Sequence, residues 1–214
     1  MAGDRDMRGE SIGEAGYRAS RNRERGYSGR VRPAVFLDRD DTILANREAT
    51  AGTAWPGDLF EPSRVRLLPG AAEGLSMLSR AGWRLVVVSN QGGLAAGVCT
   101  LGDVEATNDR MRALLAEYGV SLAGVYMAPA RPGGRVARFN EDEEGWRKPG
   151  GGMLRAAAAE LGIDLGGSWM IGDAERDLEA GRAAGLDASR CVLVGTAEAP
   201  DLCWAARRVL GAGG

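Results

Sequence analysis

The run Val35-Phe36-Leu37-Asp38-Arg39-Asp40-Asp41-Thr42 passes from wholly apolar to acidic in a single step. A short apolar run that follows a proline and stops at polar residues reads as a strand buried on both faces, as in a parallel sheet. Open parallel sheets bind ligands just outside the carboxyl ends of their strands, which is where Asp38 and Asp40 fall. Side chains two apart on an extended chain lie on one side, so the two carboxylates converge. Converging carboxylates repel unless a cation or a shared proton compensates. A solvated acidic turn would account for the same residues without any chemistry, and the rest of the chain has to decide.

The rest alternates strand and helix. Pro69-Gly70 opens a helix through about Arg80, with Ala71, Leu75 and Leu78 on one face and Gly82 closing it. Leu85-Val86-Val87-Val88 is a second apolar strand, and it exits into Ser89-Asn90-Gln91-Gly92-Gly93. Thr100 and Asp103 form a helix N-terminal box before a helix to about Tyr118, with Gly119 after it. A third strand covers Gly124 to Met127. Arg147-Lys148-Pro149 precedes a helix running to Leu161, with Pro149 suited to its first turn. Ser168 to Asp173 is a strand ending in acid, and Asp177 lies one helical turn further on. Helix 174–184, the strand Cys191 to Val194 and a tail helix from Pro200 complete the pattern. Such alternation predicts an α/β fold with a mainly parallel sheet. Two stretches are irregular, 45–66 and 128–146. A long structureless loop directly after the acidic strand is typically a lid or binding loop, with Arg47, Trp55 and Phe60 as candidate contacts.

Composition narrows the chemistry. The chain has no histidine, which removes Ser-His-Asp and Cys-His triads and histidine metal sites. Acid–base work falls to carboxylates, lysine, tyrosine or cysteine. A net charge of -2 argues against a nucleic-acid binder, and no apolar stretch reaches membrane-span length. Three cysteines, Cys99, Cys191 and Cys203, suggest no disulfide framework, so a reducing cytoplasm is the simpler setting. Residues 1–30, rich in Arg, Glu, Gly and Ser, read as a disordered tail, leaving 31–214 as one domain.

Four motifs in order, Asp38-x-Asp40-x-Thr42, strand-terminal Ser89, Lys148 before a helix, and Gly172-Asp173-x-x-x-Asp177, resemble those of the haloacid dehalogenase (HAD) superfamily. The resemblance spans residues 34–195 and implies a three-layer α/β/α, Rossmann-like fold with a minimal cap. Within it, Asp38-Arg39-Asp40, Ser89-Asn90-Gln91 and Arg147-Lys148-Pro149 look like the group holding the D-glycero-D-manno-heptose-1,7-bisphosphate 7-phosphatases and the histidinol-phosphate phosphatases. The resemblance implies Asp38 as nucleophile and Asp40 as general acid and base. It further implies Mg²⁺ on Asp38, the Asp40 carbonyl and Asp173, with Asp177 orienting a bound water. Thr42, Ser89, Asn90, Arg147 and Lys148 are then the phosphate and substrate contacts. Many members of that group carry a Cys/His zinc loop before the lysine motif. Here Met127 to Arg131 and Glu144 to Arg147 contain neither residue, so no zinc is expected. Ala96 and Ala174 stand where relatives carry basic residues. The expected activity is hydrolysis of a small phosphorylated sugar by a monomer, with histidinol phosphate, or phosphate binding without turnover, as alternatives.

Overall fold

The computed structural model describes residues 17–18, 31–142 and 145–211. Six strands form one sheet: β1 (Tyr17–Arg18), β2 (Ala34–Leu37), β3 (Arg84–Asn90), β4 (Gly124–Ala128), β5 (Trp169–Gly172) and β6 (Cys191–Leu193). Their spatial order is β1-β4-β3-β2-β5-β6, and β2 through β6 pair in parallel. The acidic strand β2 is therefore central. Successive strands are laid down on one side of it as β3 and β4, then on the other as β5 and β6. That reversal leaves a crevice between the carboxyl ends of β2 and β5, the usual ligand position in such sheets.

The helices are α1 (Asn46–Thr50), α2 (Ala71–Arg80), α3 (Gly92–Ala96), α4 (Leu101–Ala116), α5 (Gly152–Leu161), α6 (Glu175–Ala184) and α7 (Leu202–Gly211). Alternate strand residues serve opposite faces of the sheet. Val35, Leu37, Leu85, Val87, Met127 and Ile171 share one core with Leu75 and Leu78 of α2, Met111 and Leu115 of α4 and Leu202 of α7. Phe36, Val86, Val88, Tyr126 and Met170 share the other with Met153 and Leu154 of α5 and Ala180 of α6. This is the expected three-layer α/β/α arrangement. Nor does any helix among the described residues have the length and apolarity to cross a membrane.

Several expectations are refined. Most of residues 1–30 lies outside the described residues, but Tyr17 and Arg18 pair antiparallel with Met127 and Tyr126 of β4. The stretch 45–66 holds α1 and a 3₁₀ turn at Pro62–Arg64, and 128–146 holds another at Ala137–Phe139. Neither stretch amounts to a cap domain. The Ser89-Asn90-Gln91 exit leads straight into α3. The helix after Lys148 begins at Gly152 rather than Pro149, and the Lys148–Pro149 peptide is cis. The intervening turn needs a close backbone approach. A Cβ on Gly150 would lie 2.2 Å from the Gly145 carbonyl oxygen.

Candidate active site

Asp38 extends the β2 ladder by one residue, donating its backbone N–H to the Ile171 carbonyl of β5 at 3.0 Å. This places it across the crevice from Asp173, the residue that follows β5. Behind Asp38 the chain folds back tightly, the Arg39 carbonyl accepting from the N–H groups of Ile43 and Leu44 at 3.0 and 2.9 Å. Asp41 takes a left-handed φ of 59° in that turn, a conformation Asp tolerates better than most residues.

Lys148 arrives from the opposite side, almost fully buried, with three oxygens around its ammonium. It ion-pairs with Asp38 Oδ1 and with Asp177 Oδ1 (2.8 Å) and donates to the Val88 carbonyl at 2.9 Å. Burial disfavours its ammonium form, but the two carboxylates more than offset that and hold its pKa above the ordinary value. Burial likewise pushes the Asp38 carboxyl up to about 7, opposed by Lys148 and reinforced by Asp177 and Asp40. Asp177 is itself buried, its second oxygen accepting the Ala174 N–H at 3.0 Å to cap α6. The contact requires glycine beside it: a Cβ on Gly172 would meet the Asp177 side chain at 2.4–2.6 Å.

Asn90 is tied to the lysine turn. Its amide donates to the Lys148 carbonyl at 3.0 Å and accepts the Lys148 N–H at 2.9 Å. With one bond donated and one accepted, its side chain clasps the lysine turn. Asp142 fixes that turn from the other side, accepting the N–H groups of Trp146 and Arg147 at 2.7 and 2.8 Å. Arg147 donates to the Ala130 carbonyl at 2.9 Å. Its pKa is lowered by burial first, then by the neighbouring Arg131 and Arg176. Arg131 and Arg147 both lie over Gly92, where a Cβ would come within 3.4 Å of one and 3.7 Å of the other. These arginines form a basic rim.

Asp40 is gripped by donors. The guanidinium of Arg39 reaches both its oxygens at 3.0–3.2 Å, Gln91 donates at 3.0 Å and Ser89 at 3.3 Å. Gln91 also donates to the Ser89 hydroxyl at 2.8 Å. Ser89 thus faces Asp40 from the carboxyl end of β3. Arg39 is wholly buried and anchored further by the Asn108 side chain and the Leu59 carbonyl. Thr42 is buried as well, and its hydroxyl has no hydrogen-bond partner. Arg39, Gln91, Asn108 and Asp142 escape a reading of the sequence. Only Gln91 and Arg39 carry a signal, as polar residues embedded in the motifs themselves. Beside the mouth a cavity of about 190 Å³ is lined by Thr50, Trp55, Asp58, Phe60, Glu61 and Arg64.

Asp38, Asp173 and Asp177 each place a carboxylate oxygen within 4.8 Å of the others, the one such acidic group of three among the described residues. Asp38 Oδ2 and Asp173 Oδ1 are buried without hydrogen-bond partners. Buried carboxylate oxygens left unpaired are costly, and an all-oxygen set suits a hard divalent cation such as Mg²⁺. The residues fit that ion. The three cysteines are free and do not cluster with this group.

An acid pair at the exit of a central parallel strand, a buried lysine against it and a second acidic strand exit alongside define a phosphoryl-handling α/β hydrolase. Known proteins agree. Residues 145–207 match a family model described as HAD-hydrolase-like. The chain is 36% identical over 163 residues to a D-glycero-beta-D-manno-heptose-1,7-bisphosphate 7-phosphatase of Yersinia pestis, covering 76% of this chain and 81% of the relative. It is 38% identical over 157 residues to a D-glycero-D-manno-heptose-1,7-bisphosphate 7-phosphatase of Thermosynechococcus vestitus, covering 72% and 76%. The crystal structure of a D,D-heptose 1,7-bisphosphate phosphatase from B. bronchiseptica, complexed with magnesium and phosphate, superposes with a TM-score of 0.68 at 27% identity. That match covers 84% of this chain and 99% of the other. The chain belongs to the HAD-like hydrolases and, within them, is a phosphatase related to the heptose-bisphosphate phosphatases.

Proposed function

We propose that this phosphatase removes a phosphate from a small sugar bisphosphate, a heptose 1,7-bisphosphate first among them, through an aspartyl-phosphate on Asp38. The observation that carries this reading is the meeting of Asp38, Lys148 and Asp173 at the β2/β5 crevice, with Asp40 alongside. Lys148 fixes one Asp38 oxygen and leaves the other without a partner. The carboxylate attacks phosphorus and the bond from phosphorus to the sugar oxygen breaks, with Asp40 protonating that leaving oxygen. Water then attacks the aspartyl-phosphate. Asp40 takes its proton, inorganic phosphate departs and Asp38 is restored.

Mg²⁺ held by Asp38, the Asp40 carbonyl and Asp173, with Asp177 orienting a bound water, would supply charge neutralisation for the transferring phosphoryl group. The chain's own residues supply the rest. The Lys148 ammonium is held among Asp38, Asp177 and the Val88 carbonyl, and a phosphoryl oxygen at Asp38 would become a further acceptor for it. Ser89 and the backbone after it face the same mouth. Arg147 and Arg131 on the rim support a second anionic group, which favours a bisphosphate over a monophosphate. The names of the relatives agree with this choice.

The test is kcat/KM, with and without Mg²⁺, across a heptose 1,7-bisphosphate, sugar monophosphates and histidinol phosphate. Wild type and Arg147→Ala are compared throughout. The bisphosphate should lead, and Arg147→Ala should erase its advantage over monophosphates. A wide lead for histidinol phosphate would end the sugar assignment while leaving the chemistry intact.

A further inference from the structure

Arg47 stands out because it is both exposed and committed. Its side chain is 73% exposed, yet the guanidinium sits 2.6 Å from Asp173 Oδ2, on a carboxylate only 5% exposed. Its Nε lies 3.3 Å from Asp41 Oδ2, and its backbone N–H donates to Asp41 Oδ1 at 2.9 Å. The left-handed turn at Asp41 thus presents a carboxylate that holds α1 and its arginine over the crevice. The other oxygen of Asp173, Oδ1, is buried and has no partner.

We propose that Arg47 is a resident counter-ion of the cation site: it neutralises Asp173 until a divalent cation binds, yields that carboxylate to the cation, and then meets the substrate's phosphate. This rests on the reading of Asp173 as a cation ligand. A guanidinium and a divalent cation on one carboxylate repel and compete for its charge, and Arg47, 73% exposed, is free to swing aside as the buried Lys148 beside Asp38 is not. Displacement from Asp173 leaves the Asp41 tether in place, because the backbone N–H and Nε bonds to Asp41 do not involve Asp173. The released Nη groups then hang at the mouth, above the position a phosphoryl group takes against Asp38. Arg47 matches a phosphate in geometry as well as charge, since its planar fork binds two oxygens at once. Cation and phosphate binding become linked through one side chain. The cation is bound against a competitor, and the phosphate gains the competitor as a ligand.

Isothermal titration of the full-length protein with Mg²⁺ alone, then with inorganic phosphate at saturating Mg²⁺, separates the two halves. Arg47→Ala should bind Mg²⁺ about two- to fivefold tighter than wild type, the range an exposed ion pair is worth. The same variant should bind phosphate weaker by about tenfold, the lower range for a lost charged hydrogen bond. Arg47→Lys, which keeps the charge without the fork, should fall between on both axes. Unchanged or weaker Mg²⁺ binding in Arg47→Ala overturns the proposal, and so does unchanged phosphate binding. Failure of wild type to bind Mg²⁺, or retention of wild-type Mg²⁺ affinity in Asp173→Asn, would instead remove the cation reading on which it rests.

Discussion

At the scale of single residues, the site is a set of charges each given a defined partner. Asp38 and Lys148 are each almost wholly buried, a placement tolerable only because each neutralises the other and Asp177 adds a second acceptor. Asp38→Asn keeps the shape and removes the nucleophile, and Lys148 retains Asp177. Turnover should fall by several orders of magnitude with the circular-dichroism spectrum unchanged; near-normal turnover would discard Asp38 as the attacking group. Asn90→Ala tests a quieter role. Losing two hydrogen bonds to the Lys148 backbone should lower stability by about 1–2 kcal/mol in urea unfolding. It should also reduce kcat about tenfold by letting the lysine drift, with KM changed less. A direct phosphate contact by the Asn90 side chain would instead show chiefly in KM. That Asp38, Asp40, Ser89, Lys148 and Asp173 gather in one place was legible because residue types at strand exits and helix starts are local properties. The clasp was not, because Asn90 and Lys148 are separated by 58 positions.

At the scale of elements, long periodic segments read well and short ones did not. The Thr100 box is present as expected, with the Thr100 hydroxyl accepting the Asp103 N–H and the Asp103 carboxylate accepting the Thr100 N–H. In contrast, α1 and α3 have five residues each, too few to leave a helical period or to be stable alone. They form because the fold holds them. The Asp41 carboxylate grips the start of α1, and Gly92 to Ala95 of α3 are buried beneath the rim arginines and the neighbouring loops. The turn from Gly145 to Gly151 shows the same dependence on packing. Gly150→Ala would drive a Cβ into the Gly145 carbonyl, backbone against backbone with no side chain to yield. An overpacking cost of about 1–3 kcal/mol in chemical denaturation is expected. A matching loss of kcat should accompany it, since Lys148 is two residues away; Gly150→Ala with normal stability would mean the turn relaxes freely.

At the scale of the whole molecule, strand order does the work. Placing β2 between β3 and β5 brings three strand exits to one edge, so that residues from positions 38, 89 and 173 share a crevice. The cluster this makes contains only carboxylate donors. Elemental analysis of native protein should therefore find no stoichiometric zinc. Chelation with EDTA should abolish phosphatase activity, and added Mg²⁺ should restore it. Tightly bound zinc, or activity indifferent to EDTA, would contradict the assignment of the acidic crevice as a Mg²⁺ site.

The amino-acid sequence alone determined the layers of the fold, the order of the motifs and the acid-and-lysine chemistry, because apolar periodicity and strand exits act over a few residues. Only the tertiary structure decided how those charges are balanced. Lys148 shared between Asp38 and Asp177, Arg39 anchored inside the protein on Asn108, and Arg47 laid across Asp173 from 126 positions away are pairings between distant segments. Each is set by where the sheet brings two backbones together. Distance in space, which no local pattern encodes, fixes the strength of an ion pair and the cost of leaving one unmade.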